Sequence, residues 1–424
     1  MKTHFSLPIQ KLFLCLVIFA LSGCLKDSAK QSYTITRPIL AKLSEVRSGI
    51  KMEGPISVSA PGKMYLIGNT ILLNESGKGI HVIDNSNPAA PVNKSFLPIP
   101  GNYDMAVNGN ILYADCFTDL LAFDISNPNQ LVLKSYISQV FPDKQFQKGF
   151  YIDSGFCAIG WNSKDTSITV GLGTDQVAWI GGGMLFSSSS IALASSFSSD
   201  KSAANGKAGS MAKMAIQNGW LYGVSSSKLQ VIDLSQADKP VLSKSIQTSA
   251  LNETVFPFKD KLFIGSQTGM SIYSVSSPAS PQFQSMFSHA RVCDPVIADD
   301  THAYVTLRSN GLTCMGNLNE LNVLDIRNIQ SPILLKTYPF THPKGLSKEG
   351  NTLMVCDGEI GVKIYDASNP ENIKLIQNLA LEEAYDVICY NNIAYISAKD
   401  GLYQYNFSKP DQTKLISKIS IRHD

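Results

Sequence analysis

Seven apolar stretches in this chain close in the same way, and their spacing constrains the fold more than any other feature. Each stretch, from "GIHVID" to "LYQYN", ends at one anchor residue: Asp84, Asp124, Asp233, Ser274, Asp325, Asp366 and Asn406. Clusters such as "NSNPAAP" and "VSSPASP" follow the anchors. Asn, Asp and Ser side chains bond their own backbone and Pro fixes φ, so each cluster predicts a tight turn out of a strand. The repeated aspartates are therefore interpreted as turn-formers and not as catalytic groups.

A pair of further strands precedes each anchored strand. In "DMAVNGNILYAD" and "DVICYNNIAYIS" an apolar run, a short polar turn and a second apolar run follow one another. A fourth strand such as "SPILLKTYP" leads to the next unit. Most anchors lie 40 or 41 residues apart, with one interval of 51 and one of 109. Four-stranded modules of about 40 residues suit β-propeller blades, which bury both faces against their neighbours in a closed ring.

The interval between Asp124 and Asp233 is too long for one unit. Within it, "KGFYIDSGFCAIGW" and "SITVGLG" show a strand, turn and strand order without the aspartate and proline ending, and count as a degraded blade. We therefore predict an all-β, single β-propeller of four-stranded blades over residues 51–424, with eight blades. Seven is the alternative if this stretch is only a loop excursion. The Gly/Ser-rich residues 181–210 are interpreted as a surface insertion rather than a binding lid.

The first residues are typical of a targeting segment. Lys2 and Lys11 precede an apolar run, Leu12–Leu21, that is too short to span a bilayer. The "LSGC" that ends at Cys24 resembles a bacterial lipobox, which implies a lipoprotein signal peptide over residues 1–23 and a lipidated Cys24. The alternative is an ordinary signal peptide with an incidental cysteine.

The residues after Cys24 predict a connection to the propeller. Residues 25–38 are polar and are interpreted as a tether, and residues 38–50 favour a short helix. Leu25 follows the lipobox cysteine, so no aspartate signals inner-membrane retention. An outer-membrane lipoprotein of the cell envelope is expected, with its periplasmic or surface face left open.

The repeats resemble a known family. The endings "HVID", "QVID" and "NVLD", followed by "SNP" or its variants, resemble the LVIVD-repeat family over about residues 50–410. The order of lipobox, short helix, "GKGIHVIDNSNP" and "CDPVIADDTHAYVTLRSNGLTCMG" is similar to LVIVD-repeat lipoproteins of Bacteroidota-type bacteria. This resemblance implies a propeller on a cell envelope and carries no established reaction. Ser274 and Asn406 depart from the family's Asp anchor, and the degraded blade departs almost entirely.

One position in each inner strand predicts a polar ring. Counting back nine residues from the matching second-strand position, or ten for Tyr304, gives Ile56, Asp104, Lys148, Lys213, Thr254, Asp294, Gly345 and Asp386. The first strand of each blade lines the central channel, so these positions are expected to meet near one mouth. Glu253 and Lys344 are their sequence neighbours, and His289 and His342 lie just upstream.

This ring has two interpretations. It is either a pocket for a sugar, a peptide end or a cation, or a set of acids and lysines that satisfy one another, as buried charges must. The second is favoured, because blade geometry alone selects repetition at one position.

Six cysteines lie beyond the lipobox. Cys293 and Cys314 fall in the interval lengthened to 51 residues, where a disulfide would pin an elaborated loop in an oxidising compartment; two free thiols are the alternative. Four others are expected as small buried hydrophobes within strands: Cys116, Cys157, Cys356 and Cys389. The lack of CxxC spacing disfavours a zinc site.

The remaining signals limit the function. The net charge is +2 without a basic block, so nucleic acid is not an expected partner. No histidine spacing indicates a metalloenzyme, and neither a metal nor a cofactor is expected. The sequence predicts a monomeric, lipid-anchored envelope propeller that binds or scaffolds a protein or glycan partner. The alternative is a glycan-active enzyme that uses Asp104, Asp294 and Asp386 as acid and base.

Overall fold

The computed structural model describes residues 28–127, 130–171, 207–248, 251–289, 292, 295–309 and 318–421. The chain divides into two compact units, a two-stranded ribbon and a β-propeller. The predicted signal peptide, Cys24, Cys293, Asp294, Cys314 and most of the Gly/Ser-rich insertion lie outside the described residues. None of the helices in the described part of the chain is long and apolar enough to cross a membrane.

The described chain begins with strand β1 (Ser28–Lys42), which runs directly into helix α1 (Leu43–Gly49). This differs from the expected tether over residues 25–38, because β1 is paired along its length with a distant strand. The predicted short helix is present but begins at Leu43. Leu43 is buried, and the guanidinium of Arg47 bonds the Asp119 carboxylate and lies 3.9 Å from the centre of the Tyr136 ring.

The first two blades follow as continuous chain segments. Blade 1 consists of β2 (Pro61–Ile67), β3 (Thr70–Glu75), β4 (Gly79–Asp84) and β5 (Val92–Pro98). Blade 2 consists of β6 (Met105–Asn108), β7 (Ile111–Cys116), β8 (Asp119–Asp124) and β9 (Val132–Ile137).

The long interval contains no blade among its described residues. A 3-10 helix (Pro142–Gln145) leads into a hairpin of β10 (Phe146–Gln147) and β11 (Phe150–Tyr151), followed by β12 (Phe156–Gly171) and β13 (Lys207–Ala208). β12 pairs with β1 and β13 pairs with β2. The prediction of eight blades is therefore wrong and the seven-bladed alternative is confirmed.

Blades 3 to 7 complete the ring. Blade 3 is β14 (Met214–Gln217), β15 (Trp220–Ser225), β16 (Lys228–Asp233) and β17 (Val241–Gln247). Blade 4 is β18 (Asn252–Phe258), β19 (Lys261–Ser266), β20 (Gly269–Ser274) and β21 (Gln282–Ser288). Blade 5 is β22 (Val296–Ala298), β23 (His302–Arg308), β24 (Asn319–Asp325) and β25 (Ile333–Pro339). Blade 6 is β26 (Leu346–Glu349), β27 (Thr352–Cys356), β28 (Val362–Asp366) and β29 (Lys374–Leu379). Blade 7 is β30 (Ala384–Tyr390), β31 (Ile393–Ala398), β32 (Gly401–Asn406) and β33 (Lys414–Ser420).

The ribbon of β1 and β12 is an antiparallel pair held by polar contacts on one face. The Thr34 hydroxyl donates to the Asp165 carboxylate at 2.7 Å, and the hydroxyls of Thr36 and Ser163 lie 3.1 Å apart. On the other face, Ile39 approaches Gly160, where an added Cβ would lie only 3.3 Å from the Ile39 side chain. Two-stranded ribbons need such cross-strand contacts because they bury little apolar area alone.

All seven anchors form the turns that the sequence predicts. Each anchor side chain accepts the main-chain N–H two residues later, over 2.7 to 3.0 Å in six blades and 3.4 Å at Ser274. Ser274 and Asn406, which depart from the repeat, therefore keep the same hydrogen bond. These turns hold the outer strand of each blade against its third strand.

Neighbouring blades are joined by apolar packing and by repeated hydrogen bonds to the turns. The Tyr113 hydroxyl donates to the Ala237 carbonyl at 2.6 Å, and the Tyr222 hydroxyl donates to the Pro278 carbonyl at 2.9 Å. On the outer strands, the Ser285 hydroxyl bonds the Ile329 carbonyl of the next blade. Each contact crosses from one blade to the turn of its successor.

The ring closes between blades 7 and 1 without exchanging a strand, because the four strands of each of these blades are consecutive in the chain and the strand added beside β2 is β13. Ile71 and Leu73 of blade 1 share an apolar cluster with Ile388 of blade 7. The Ser417 hydroxyl donates to the Pro88 carbonyl at 2.6 Å, and a 2.7 Å hydrogen bond joins Gln404 to Asn85. We call this interface the closing seam.

The closing seam is expected to be more sensitive to the loss of one hydrogen bond than an interface between consecutive blades. Ser417→Ala should lower the free energy of unfolding by about 1 kcal/mol. It should also speed amide hydrogen exchange in β33, because only non-covalent contacts hold blade 7 to blade 1. Ser285→Ala removes the matching bond between blades 4 and 5, which the chain joins directly. Hydrogen exchange read by mass spectrometry tests the difference, and equal responses of the two variants would contradict it.

Candidate functional site

The innermost strands begin at one end of the channel, which we call the first mouth. Main-chain hydrogen bonds there join residues eleven positions apart: Asp115 N–H to Asp104 C=O at 3.3 Å, Val224 to Lys213 at 2.7 Å, Thr306 to Pro295 at 3.1 Å and Cys356 to Gly345 at 2.9 Å. Together with the strand registers of the other blades, this repeat places seven residues at one level: Lys63, Asp104, Lys213, Thr254, Pro295, Gly345 and Asp386. We call these residues the channel ring.

Five of the eight expected positions belong to the channel ring, and four of these five carry a side chain. The ring differs from the prediction at the other three positions. Tyr65 lies on the innermost strand and pairs with Leu72, so counting back nine residues from Leu72 gives Lys63 in place of Ile56. Lys148 lies at the exposed turn between β10 and β11 with a φ of 46°, since the described residues of the long interval form no blade that could carry it. In blade 5 the equivalent residue is Pro295, since no extra residue enters the turn.

A buried ion pair joins the first two positions of the ring. The Lys63 ammonium lies 2.7 Å from Asp104 Oδ2, and both side chains are 4% exposed. The Asp104 carboxylate also accepts the main-chain N–H of Lys213 and that of Met105, the latter at 2.8 Å. Burial raises the pKa of Asp104 and lowers that of Lys63, while their mutual attraction opposes both shifts. One carboxylate thus connects blades 1, 2 and 3.

Asp115 supports this pair from a second layer that the sequence did not reveal. Its Oδ1 accepts the main-chain N–H groups of Tyr103 and Asp104, both at 2.8 Å, and the Asn102 amide at 2.7 Å. Its other oxygen bonds the Lys144 ammonium. Asp115 lies at the end of an apolar strand where it is 2% exposed, and a charged residue in that position is the signal that could have identified it.

Residues 207–213, which we call the channel segment, cross the ring from blade to blade. Lys207 bonds the Cys389 carbonyl of blade 7 at 3.2 Å, and Ala208 pairs with Tyr65 of blade 1. Ser210 accepts the Leu346 N–H of blade 6 at 2.5 Å, and the Ala212 carbonyl accepts the Val255 N–H of blade 4 at 2.6 Å. The chain between these contacts is buried, with Met211 only 1% exposed. The channel segment therefore occupies the space that the ring side chains were expected to share.

Asp386 is the least satisfied member of the channel ring. It is fully buried, and its Oδ1 accepts the Ser210 N–H at 3.4 Å, whereas Oδ2 has no hydrogen-bond partner among the described residues. Burial raises the pKa of Asp386 to about 8. Gly345 is required beside it, because a Cβ there would lie 2.1 Å from the Asp386 carboxylate oxygen.

A second group of charges lies over blades 5, 6 and 7 of the first mouth. The Lys344 ammonium bonds Glu383 at 2.9 Å and lies 4.6 Å from the centre of the Tyr385 ring. Arg308, at the end of β23, is 3% exposed and was not recognised from the sequence because it closes an apolar strand. Burial lowers the pKa of both Lys344 and Arg308. We call Arg308, His342, Lys344 and Glu383 the mouth cluster.

His342 is held at the edge of this cluster by its main chain. Asp357, which is fully buried, accepts the His342 N–H at 2.6 Å and the Thr341 N–H at 2.9 Å. Burial lowers the pKa of His342, and the positive charges of Arg308 and Lys344 lower it further. Burial and the neighbouring cations thus both favour the neutral imidazole.

The other expected site residues lie on blade 4. Glu253 is 9% exposed at the start of β18 and accepts a hydrogen bond from Gln267 at 3.2 Å. Its charge acts on the Arg308 guanidinium, which places it beside the mouth cluster. His289 is half-buried directly after β21. The structure thus brings Glu253, Lys344 and His342 near Arg308. It also brings Asp104 and Asp386 into contact with the channel segment, of which Lys213 is the last residue.

Asp104 and Asp386 do not form an open catalytic pair. Glycoside hydrolysis needs two carboxyl groups roughly 5 to 9.5 Å apart on either side of a bond in a cleft. Asp104 is 3% exposed and Asp386 is fully buried, with the channel segment bonded to both. Within the described residues, no group of three His, Cys, Asp or Glu side chains is arranged to hold a metal ion.

Comparisons with known proteins identify the fold. No protein-family model and no curated protein matches this chain. A protein from Lactobacillus plantarum is similar with a TM-score of 0.55 and 10% identity, covering 85% of this chain and 96% of that one. The periplasmic gluconolactonase of Pseudomonas aeruginosa gives a TM-score of 0.55 and 9% identity over 85% and 97%. BamB from Moraxella catarrhalis gives 0.48 and 9% over 88% and 98%. The first two similarities, at 10% and 9% identity, show the β-propeller fold alone.

Removing one partner of the buried ion pair should be costly. Lys63→Met leaves the Asp104 carboxylate buried without its cation, which should lower the free energy of unfolding by about 3–5 kcal/mol. Adding Asp104→Asn to the same chain should recover part of this loss, because the uncompensated charge is then gone. Urea unfolding measures both. Lys94→Met removes the exposed contact to Asp84, 3.6 Å long, and should change stability little. Equal losses for Lys63→Met and Lys94→Met would contradict the argument.

Asp386 should make the stability of the protein fall as pH rises. Its pKa is about 8 in the folded chain against an ordinary 3.8, so between these values the folded state holds one more proton than the unfolded state. Stability is then lost progressively over that window. Asp386→Asn mimics the protonated form and should lose less stability between about pH 5 and pH 8, measured by urea unfolding.

The comparison needs a carboxylate that titrates elsewhere. Asp366→Asn alters a half-buried turn anchor whose pKa is lowered by its hydrogen bonds to Ser368, so it should keep the wild-type slope over the same window. The charged and titratable groups that act on Asp386 are Lys63, Cys356 and Cys389. A slope for Asp386→Asn equal to that of the wild type would show that this carboxyl does not titrate there.

Proposed function

We propose that this protein is a lipid-anchored propeller of the cell envelope that binds a partner protein through the first mouth of its ring. The anchor would be Cys24, on the strength of the lipobox-like "LSGC". The resemblance of the repeats to LVIVD-repeat envelope lipoproteins supports the same location. The fold is compatible with a binding or scaffolding module, since propellers present clustered loops and strand ends at each mouth.

The observation that carries the proposal is the occupation of the channel by residues 207–213. The ring carboxylates Asp104 and Asp386 are used to hold this segment and the neighbouring blades. They are therefore unavailable to a ligand that enters from solvent. In the mouth cluster, Glu383 is 35% exposed and the His342 side chain is exposed, whereas Lys344 and Arg308 are buried beneath them. A surface of this kind suits recognition better than acid and base chemistry.

The glycan-active alternative loses two of its three expected carboxylates. Asp104 and Asp386 do not reach an open cleft, and Asp294 lies outside the described residues. One of the similar folds is a periplasmic gluconolactonase, but at 9% identity its activity gives no residue to transfer. Binding is thus the function that the geometry supports best.

Co-purification from cells tests the proposal. Intact cells are crosslinked, membranes are solubilised in detergent, and the full chain is captured through a C-terminal tag for mass spectrometry. We expect a reproducible partner protein with the wild type. Lys344→Gln/Glu383→Gln should reduce its recovery several-fold, because the paired charges at the first mouth are neutralised together. A matched variant, Lys348→Gln, removes a lysine of the same blade that pairs with Asp299 at 2.9 Å and should leave recovery unchanged.

Two outcomes would count against the proposal. Recovery of the lipoprotein alone would remove the binding function, and equal recovery with the neutralised mouth would move the interface elsewhere. The same preparation tests the lipid anchor, because the Cys24→Ala protein should no longer be found in the membrane fraction. A Cys24→Ala chain that stays there would refute lipidation without affecting the result at the mouth.

A further inference from the structure

The ribbon of β1 and β12 exposes large apolar side chains on one of its faces. Tyr33 is 40% exposed, Ile35 is 46% exposed and Ile39 is 41% exposed. These residues are an even number of positions apart in β1, so their side chains lie on the same side of the strand. On this side the Ile39 side chain lies over Gly160 of β12. Several exposed apolar groups on one surface are typical of an interaction site.

The opposite face of the same part of the ribbon is polar, and its side chains bond one another. The Thr34 hydroxyl donates to the Asp165 carboxylate at 2.7 Å, and the hydroxyls of Thr36 and Ser163 lie 3.1 Å apart. This part of the ribbon is therefore amphipathic. An amphipathic element can lie in the plane of a membrane interface, with its apolar face toward the lipid and its polar face toward water.

The charges on the apolar face are positive. The contacts across the ribbon fall in one register, which places Lys164 opposite Ile35. Arg37 lies between Ile35 and Ile39 on β1, and both cations are exposed. In the sequence of the two strands Asp165 is the only acidic residue, and it lies on the polar face. We call the apolar and basic side chains the ribbon face: Tyr33, Ile35, Arg37, Ile39 and Lys164.

The length of chain before the ribbon favours a membrane as the surface that covers this face. Strand β1 begins at Ser28, and three residues separate it from Cys24, the proposed site of lipidation. Even when fully extended, this connection spans at most about 14 Å. The acyl chains of a lipidated Cys24 enter the hydrocarbon of the bilayer, which holds Cys24 at the level of the headgroups. A ribbon attached in this way begins at the membrane surface.

We propose that the ribbon lies on the membrane with the ribbon face against the lipid. Tyr33, Ile35 and Ile39 enter the interface, where tyrosine and apolar side chains are favoured. Arg37 and Lys164 contact anionic headgroups, which attract basic residues beside a membrane anchor. Because a two-stranded ribbon is marginally stable in water, this contact also stabilises the ribbon. The inference rests on the lipid anchor of the proposed function and adds a second contact with the bilayer.

Photo-crosslinking of the full, lipidated chain tests the inference. Ile39→benzoylphenylalanine and Leu40→benzoylphenylalanine place the same probe on opposite faces of β1, at neighbouring positions. Leu40 is 51% exposed, so it is a matched control for an exposed apolar residue. Each protein is reconstituted in vesicles of phosphatidylcholine and phosphatidylglycerol, irradiated and digested, and the β1 peptide is analysed by mass spectrometry. The Ile39 probe should form phospholipid adducts at least about fivefold more often than the Leu40 probe, because only Ile39 faces the lipid.

The role of the cations is tested with the Ile39 probe in place. Adduct formation should be several-fold higher in vesicles that contain phosphatidylglycerol than in phosphatidylcholine alone. Arg37→Gln/Lys164→Gln should abolish this difference. Lys42→Gln removes an exposed lysine that lies on the opposite side of β1 and pairs with Glu45 at 3.6 Å, so it should keep the difference.

The contrary outcomes are distinct from a failure of the proposed function. Equal lipid adducts at Ile39 and Leu40, or none at Ile39, would overturn the inference. Protein adducts at Ile39 in place of lipid would assign the ribbon face to a partner protein or a second copy of the chain. The mass of the Cys24 peptide is read in the same digest. An unlipidated Cys24 refutes the anchor and this inference together, whereas a lipidated Cys24 without lipid adducts at Ile39 refutes the ribbon contact alone.

Discussion

Closure of the ring is the constraint on which the rest of this structure depends. Each blade buries its faces only against its neighbours, so an open ring would leave two apolar faces in water. No strand is shared between the first and last blades, and the seam relies on apolar packing and side-chain hydrogen bonds. The channel segment adds contacts on the inside, since it pairs with β2 of blade 1 and bonds Cys389 of blade 7. The main role of the channel ring is therefore to hold the blades together, and its charges are buried for this reason.

The repeat could be recognised from the sequence because each turn is formed by residues that are close together in the chain. The anchor side chain accepts a hydrogen bond from a main-chain N–H two residues later. A few residues around Asp84 and its equivalents are therefore enough to identify a blade from the sequence. The error in blade number arose where pairing is not local. β12 has the composition of a blade strand, but its partner is β1, more than a hundred residues earlier. No pattern within the interval itself could have shown that pairing.

The candidate site was predicted in part for the same reason. Asp104, Lys213 and Asp386 follow from a fixed count along each hairpin, whereas Lys63 was missed because Leu72 stands where other blades carry an aromatic residue. Arg308 and Asp115 end apolar second strands and gave no periodic signal. The channel segment was also unforeseen. Its sequence, "KAGSMAK", has no strand or helix periodicity, and only the contacts to several blades show that it belongs inside the ring.

Because the four strands of every blade are consecutive in the chain, the gene can change this ring in whole units. Duplication or loss of a single repeat of about 40 residues would add or remove a complete four-stranded sheet and leave no half-blade without its partner strands. In a propeller that closes by sharing a strand between its two ends, an added repeat must preserve that shared blade. In this protein the channel segment, residues 207–213, would limit the gain or loss of a repeat, because its contacts match a channel of one width. The number of blades and the sequence of this short segment are thus expected to change together over evolution.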